Sequence, residues 1–295
     1  MHFFESLQYF AGVPVSEMTP QFAVFCMVAS FLFGACFGSF LNVCIYRIPA
    51  ELSLSKPSSR CPKCETPIKW FDNVPIVGWL QLAGKCRSCK VPIPPRYMIV
   101  EAITGLSFVG VFYAFGITWL TPIYWLVMFG LLLGTFVDLD ERWIPDRVTI
   151  GGILLGLILS AAYPALHGEI TWQYGLARAF AGGAVGYGLL LAVEALGFMA
   201  FQKPAMGHGD TKLLAAIGCF FGWQSVLFTM VCASFLGSVI GITAGIVSGK
   251  GWRNFYIPFG PFIAAGAVIW MFWGQDLWDG YFALINPAMA EVDGL

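Results

Sequence analysis

Two aspartates and four cysteines are the residues of this chain whose types and spacing could do chemistry. Asp210 closes Gly207-His208-Gly209-Asp210 and stands at the doorway of an apolar run, Leu213 to Trp223. Asp138 ends another apolar run and opens Asp138-Leu-Asp-Glu-Arg-Trp-Ile-Pro-Asp146. Acids at membrane boundaries are costly and mark functional sites by default, with a partner to be named. The natural partner of each is the other. Two carboxyls facing each other at low dielectric do not both ionise easily, so they share one proton. The ionised member can then take a proton from water while the protonated member polarises a peptide carbonyl. A structural alternative stands beside this for Asp210, because Asp at a helix start is also a good N-cap. Asp138 has no such excuse, since a helix C-terminus disfavours anions by about 0.3–1 kcal/mol. Asp140 and Glu141 read as a solvated rim, and Asp146, ahead of a new helix, as an N-cap.

Cys61-Pro-Lys-Cys64 and Cys86-Arg-Ser-Cys89 form two CxxC pairs with 21 residues between them. Paired knuckles of this kind suit tetrahedral zinc, each pair supplying two thiolates. Disulfides are the competing reading, but they belong to oxidising compartments. Four thiolates leave no open position, so Zn2+ held by Cys61, Cys64, Cys86 and Cys89 would be structural. The other cysteines (26, 36, 44, 219 and 232) lie within apolar runs and read as small core residues. No GxSxG or HExxH motif is present, and His208 alone of the three histidines lies near the acid pair. It reads as a loop residue or a donor to its neighbours, not as a base.

The elements that must position these groups are membrane helices. Of 295 residues, 58% are hydrophobic and 11% charged, against about 25% charged in soluble domains. Nothing suggests nucleic-acid binding. Met1–Thr19 holds Glu5 and Glu17 but no Lys or Arg, so no cleaved signal peptide is expected. Apolar runs recur near Phe22–Ile45, Met98–Phe115, Leu120–Val137, Val148–Leu166, Gly175–Ala200, Leu213–Trp223, Val226–Val247 and Phe259–Trp273. The expected fold is an all-α polytopic membrane protein of about eight transmembrane helices. Gly34, Ala35, Gly38 and Ser39 give the first helix a small-residue face for a close neighbour, and Asn42 could bond a partner helix or a ligand.

Arg47–Arg96 is the one substantial polar segment, with nine basic residues, three acids and eight prolines. The prolines rule out long helices, and so small a segment needs a staple. A small zinc-stapled loop domain is therefore expected between helices 1 and 2. The division expected is 1–47 (N-terminal segment and first helix), 48–97 (tetra-cysteine domain), 98–274 (membrane core) and 275–295 (tail).

Leu213–Trp223 is short enough to be re-entrant, and the positive-inside rule bears on that. With the cysteine loop cytoplasmic and all eight runs crossing, Arg142, Arg147, Lys203, Lys212, Lys250 and Arg253 fall on the same side. Arg178 alone lands opposite, with Glu169, Asp276, Asp279, Glu291 and Asp293. A re-entrant Leu213–Trp223 would move Lys250 and Arg253 outside, so the charges favour crossing. Asp138 and Asp210 then share the cytoplasmic depth.

Gly207-His-Gly-Asp210 resembles the GxGD motif of membrane aspartyl proteases, and Asp138 with Ile144-Pro145-Asp146 resembles the first catalytic motif of the bacterial type IV prepilin peptidases. Phe37-Gly-Ser-Phe-Leu-Asn-Val43 with Tyr46-Arg47, the two CxxC pairs, Arg96-Tyr97 with Glu101, and Ile257-Pro-Phe-Gly-Pro-Phe262 resemble the same family, over roughly residues 30–265. The resemblance implies a bacterial inner-membrane enzyme that cuts the basic leader from prepilins or pseudopilins on the cytoplasmic side, with Asp138 and Asp210 catalytic. It also implies N-methylation of the new N-terminus with S-adenosylmethionine. No Gly-rich strand–turn–helix signature for that donor is visible, and the cysteine loop with its junction to the first helix is the place to look for its site. Two other readings stay open: a peptidase of this fold that does not methylate, and a proton-coupled transporter using Asp138 and Asp210. The second fits less well, because both acids sit at one edge and no repeated halves are apparent.

Overall fold

The computed structural model describes residues 12–202, 207–247 and 257–285. Lys203, Lys250, Arg253, Glu291 and Asp293 lie outside them. Among the described residues there is no strand, only isolated bridges, and each of the eight apolar runs is helical. Two compact units are present, Ala11–Val137 and the chain from Asp138 onward.

In the first unit, α1 spans Pro20–Arg47; α2, Val77–Gln81, is a single short turn of helix inside the Pro-rich segment. Then come α3, Arg96–Phe115, and α4, Leu120–Glu141, whose last residues enter the second unit. The small-residue face of α1 meets α3 as anticipated. A Cβ built on Gly34 would lie 2.8 Å from Phe108 Cβ, and one on Gly38 would lie 2.6 Å from Glu101 Cα. Backbones this close are possible only with glycine. Asn42 donates to the Tyr97 carbonyl at 3.0 Å, so it joins α1 to α3. Trp125 of α4 stacks on Phe108 with centroids 5.1 Å apart, and its indole N–H donates to the Phe108 carbonyl at 2.9 Å. An indole N–H in an apolar layer needs such a partner.

In the second unit, α5 (Asp146–Ala162) is followed by a 3-10 turn (Pro164–His167), α6 (Trp172–Phe201), α7 (His208–Phe221) and α8 (Trp223–Val247). The closing apolar run is α9 (Gly260–Ile269) and a π-helical turn (Trp270–Gly274), and α10 (Gln275–Ile285) follows where only a tail was expected. The centre of this unit is α7, where every residue from Leu213 to Phe220 is buried. Gly182 and Gly186 of α6 let the two backbones touch, since Cβ atoms there would lie 2.1 Å from the Gly218 carbonyl oxygen and 2.5 Å from that of Leu214. The helix carrying Asp210 is thus clamped on its neighbour by a glycine pair four residues apart.

Among the described residues, five stretches are long and apolar enough to cross a membrane: α1, α3, α4, α6 and the 40 residues His208–Val247. The last holds two helices broken at Gly222, whose φ of +81° favours glycine. At 17 and 14 residues, α5 and α7 fall short of the about 20 that a perpendicular crossing uses.

Candidate active site and metal centre

Asp138 lies in the last turn of α4 with only 5% of its surface exposed. Its Oδ2 accepts the backbone N–H of Gly260 at 2.9 Å. Gly260 is the first residue of α9, followed by Pro261, so that N–H is one of those a helix start leaves unpaired. A Cβ on Gly260 would lie 2.6 Å from Asp138 Oδ2 and 2.9 Å from Ile144 Cδ1. The carboxyl can sit on this helix start only because the residue is glycine. Nothing in the spacing of Ile257–Phe262 announces that role, beyond a Gly-Pro at a helix start.

Asp210 is the third residue of α7, and Gly207 is the N-cap, so the cap reading does not hold for the aspartate. The Asp210 backbone N–H donates to the Gly207 carbonyl at 3.1 Å. Its carboxyl is within electrostatic reach of Asp138. Ile144, buried in the α4–α5 connection, packs against the helix starts that hold the two aspartates. It fills the room left by Gly209, where a Cβ would lie 3.2 Å from Ile144 Cβ, and it touches the Gly260 position on its other side. The two glycines of Gly207-His-Gly-Asp therefore have different work: one caps the helix, the other admits Ile144.

Asp146 is not an N-cap. Pro145 holds that position, and Asp146, already helical, makes no capping hydrogen bond. Its Oδ1 instead accepts from Lys212 Nζ at 2.6 Å. The preference of Asp for helix starts misled here because a lysine 66 positions away offers a charged partner. Asp140 and Glu141 are exposed. His208 is an exposed first-turn residue 4.0 Å from the Glu194 carboxylate. Cys44 and Cys219 are buried and Cys26 and Cys232 half-buried as core residues would be, but Cys36 is exposed on α1.

The four cysteines of the polar segment converge. Their Sγ atoms all lie within 4.8 Å of one another, with Cys61–Cys89 at 3.7 Å and Cys64–Cys86 at 3.9 Å. A tetrahedron with Zn–S bonds of about 2.3 Å has edges of about 3.8 Å. The donor set and its spacing fit zinc. Each pair is built alike. Cys61 N–H donates to the Thr66 carbonyl and Glu65 N–H to that of Cys61, while Cys86 N–H donates to Val91 and Lys90 N–H to Cys86. Glu65 and Lys90 take positive φ values of 54° and 57°, and bridges Arg60–Pro67 and Lys85–Pro92 close the two turns. The Thr66 hydroxyl and backbone hold the Cys64 thiol down at about 6 and the N–H groups of Cys89 and Ser88 lower Cys86, while desolvation and the neighbouring thiols push Cys89 up to about 11. Thiolates are the form a metal takes. Asp72 receives Arg87 through both oxygens, at 2.8 and 2.5 Å, tying the second knuckle to the turn before α2.

Four converging cysteines and two aspartates at helix ends, in a chain of apolar helices, fit the pattern of a membrane peptidase. Residues 32–115 match the bacterial peptidase A24 N-terminal domain and residues 125–242 the type IV leader peptidase family. The chain belongs to that family. Three relatives are named prepilin leader peptidase/N-methyltransferase. The protein of Myxococcus xanthus is 40% identical over 78% of this chain and 65% of its own length. That of Stutzerimonas stutzeri is 33% identical over 86% and 93%, and that of Pseudomonas aeruginosa 32% identical over 85% and 91%. No solved structure matches the chain.

Proposed function

We propose that this chain is a membrane aspartyl endopeptidase that removes the basic leader of type IV prepilins or pseudopilins, and that it then N-methylates the new N-terminus. The observation that supports the reading is that Gly260, which holds Asp138, and Gly209, beside Asp210, both pack on Ile144, although the two aspartates are 72 positions apart. A water between the carboxyls gives a proton to the ionised member, and its oxygen attacks the peptide carbonyl carbon. The protonated member donates to the carbonyl oxygen. Collapse of the tetrahedral adduct breaks the C–N bond, and the leaving amine takes up the proton. Gly260 orients Asp138 throughout; Ile144 holds the two motifs in register.

All eight apolar runs are proposed to cross, with the cysteine module and both aspartates on the cytoplasmic side of a bacterial inner membrane. The charge count supports this, and so does the chemistry of the substrate. A basic leader waits at that face while the apolar helix behind it stays in the bilayer. Residues 48–97 form the zinc module and 98–274 the peptidase core, in which Cys61, Cys64, Cys86 and Cys89 would hold Zn2+ as a staple with no open position. S-adenosylmethionine would supply an electrophilic methyl group, its S–CH3 bond breaking as the lone pair of the freed α-amine takes the methyl, with release of S-adenosylhomocysteine and a proton.

Mass spectrometry of a purified prepilin incubated with the protein, with and without S-adenosylmethionine, tests the reading. The expected products are a mature chain lacking its leader and, with the donor, the same chain heavier by one methyl group. An uncut prepilin would refute the peptidase, and a cut but unmethylated one the methylase.

A further inference from the structure

The first unit contains a pocket of about 550 Å³ that the peptidase chemistry does not use. That volume falls within the range of about 300–1,000 Å³ typical of small-molecule sites. Its floor is one stripe of α1, where Ser39, Phe40, Val43 and Arg47 recur at helical spacing, and its wall is the loop ahead of and between the cysteine knuckles, including Trp70. Arg47 reaches into the loop and donates to the Ser53 carbonyl at 2.8 Å and to that of Pro57 at 2.7 Å. These bonds fix the guanidinium plane and leave three of its five N–H groups. Among the described residues Arg47 has no carboxylate partner. A guanidinium fixed by neutral carbonyls at the edge of a pocket is a receptor for an anionic group. Trp70 is 82% exposed, its ring perpendicular to that of Phe71 with centroids 5.7 Å apart, so most of the indole is uncovered. A fixed cation and an open aromatic face in one cavity describe a ligand that carries both a carboxylate and a planar heteroaromatic ring.

We propose that this pocket is the methyl-donor site, with Arg47 receiving the methionyl carboxylate of S-adenosylmethionine and Trp70 the adenine. The inference rests on the methyltransferase reading above and gives that activity its residues. It also accounts for an arginine at the end of an apolar helix with its side chain turned into the loop. The zinc staple then has a second consequence, because the loop it ties down is the wall of the pocket.

The test is equilibrium binding of S-adenosylhomocysteine to the purified full-length protein in nanodiscs, by calorimetry, for the wild type, Trp70→Ala and Arg47→Gln. Zinc content and melting temperature serve as the folding controls. Trp70→Ala removes an exposed ring and is expected to weaken binding about 5- to 100-fold, the range of aromatic–base stacking. Arg47→Gln is expected to weaken it at least about tenfold by loss of a charge-assisted pair. If Arg47→Gln loosens the loop and loses zinc, Trp70→Ala decides alone. A wild type that binds and methylates, with Trp70→Ala binding equally well, overturns the pocket and leaves the methyltransferase reading intact. A wild type that neither binds the ligand nor methylates a cut prepilin overturns both.

Discussion

Replacing Gly260 by alanine is the sharpest perturbation of the proposed acid pair, because it leaves both aspartates in place. The added Cβ would stand 2.6 Å from Asp138 Oδ2, 3.2 Å from its Cγ and 2.9 Å from Ile144 Cδ1. Real Cβ contacts are not found below 3.0 Å, so the carboxyl must retreat by roughly half an ångström or more, and the 2.9 Å hydrogen bond from Gly260 N–H is bent or broken. A hydrogen bond to a charged group contributes about 1.5–3 kcal/mol, which at about 1.4 kcal/mol per decade is a ten- to hundredfold effect. Misplacing a reacting group by about 1 Å costs a similar factor in rate. Leader cleavage in nanodiscs, followed as kcat/KM on a purified prepilin, is therefore expected to fall about 10- to 100-fold. Overpacking also costs stability, about 1–3 kcal/mol, so membrane insertion and melting must be read alongside. Gly188→Ala is the control, since a Cβ there meets nothing within 4 Å. A Gly260→Ala enzyme that cleaves within threefold of wild type would refute the claim that this helix start orients Asp138.

Asp138→Asn and Asp210→Asn should each abolish cleavage while leaving an inserted protein, because the amide keeps the shape and cannot exchange the proton; substantial residual turnover in either would break the dyad. Cys64→Ser should lower bound zinc, read by atomic absorption, from one per chain towards none, and chelation should lower the melting temperature. Asp146→Ala removes a partly exposed ion pair with Lys212, so a loss below about 1 kcal/mol is expected, with cleavage retained. His167 sits in the turn after α5, with Ser160 Oγ 2.9 Å from its Nε2, and burial presses its pKa from 6.5 down to about 4. The unfolded chain therefore binds the proton first, so stability is fully present above about pH 6.5 and declines as pH falls towards 4. A His167→Gln protein should show a flatter melting temperature across that window; equal slopes would refute the assignment.

Helix-forming segments were legible in the sequence because apolar length is a strong local signal. Leu120–Val137 reappears as Leu120–Glu141, and the small-residue face at Gly34 and Gly38 meets a neighbour as expected. The cysteine centre was legible for the same reason, since two short-range pairs need only be brought together once. What stayed hidden is long-range. The lysine that takes Asp146 is 66 positions away, and the glycine that seats Asp138 is 122 away. Neither partner has a spacing that marks it. A local break inside an apolar run was equally silent: a π-helical turn, Trp270–Gly274, interrupts the last run, whereas the break at Gly222 falls close to the separation expected between Leu213–Trp223 and Val226–Val247.

The oddity of the sequence was an acid at the end of α4, where the dipole of its own helix opposes it by about 0.3–1 kcal/mol. The structure answers with a second helix. The start of α9 points an unpaired N–H at Asp138, so the carboxyl stands at the end of one helix and the beginning of another. Asp210 needs no such answer, because it already lies in the first turn of α7. Both acids thus rest against helix starts, and both starts depend on glycine: Gly260 for the approach of Asp138, Gly209 for the Ile144 that packs against each. If the glycines were there for flexibility, a Gly209→Ala protein would keep its cleavage rate once folded. If they are there for room, as a Cβ 3.2 Å from Ile144 Cβ requires, that protein should fold and cleave slowly, and trimming the neighbour in Gly209→Ala/Ile144→Val should restore part of the loss.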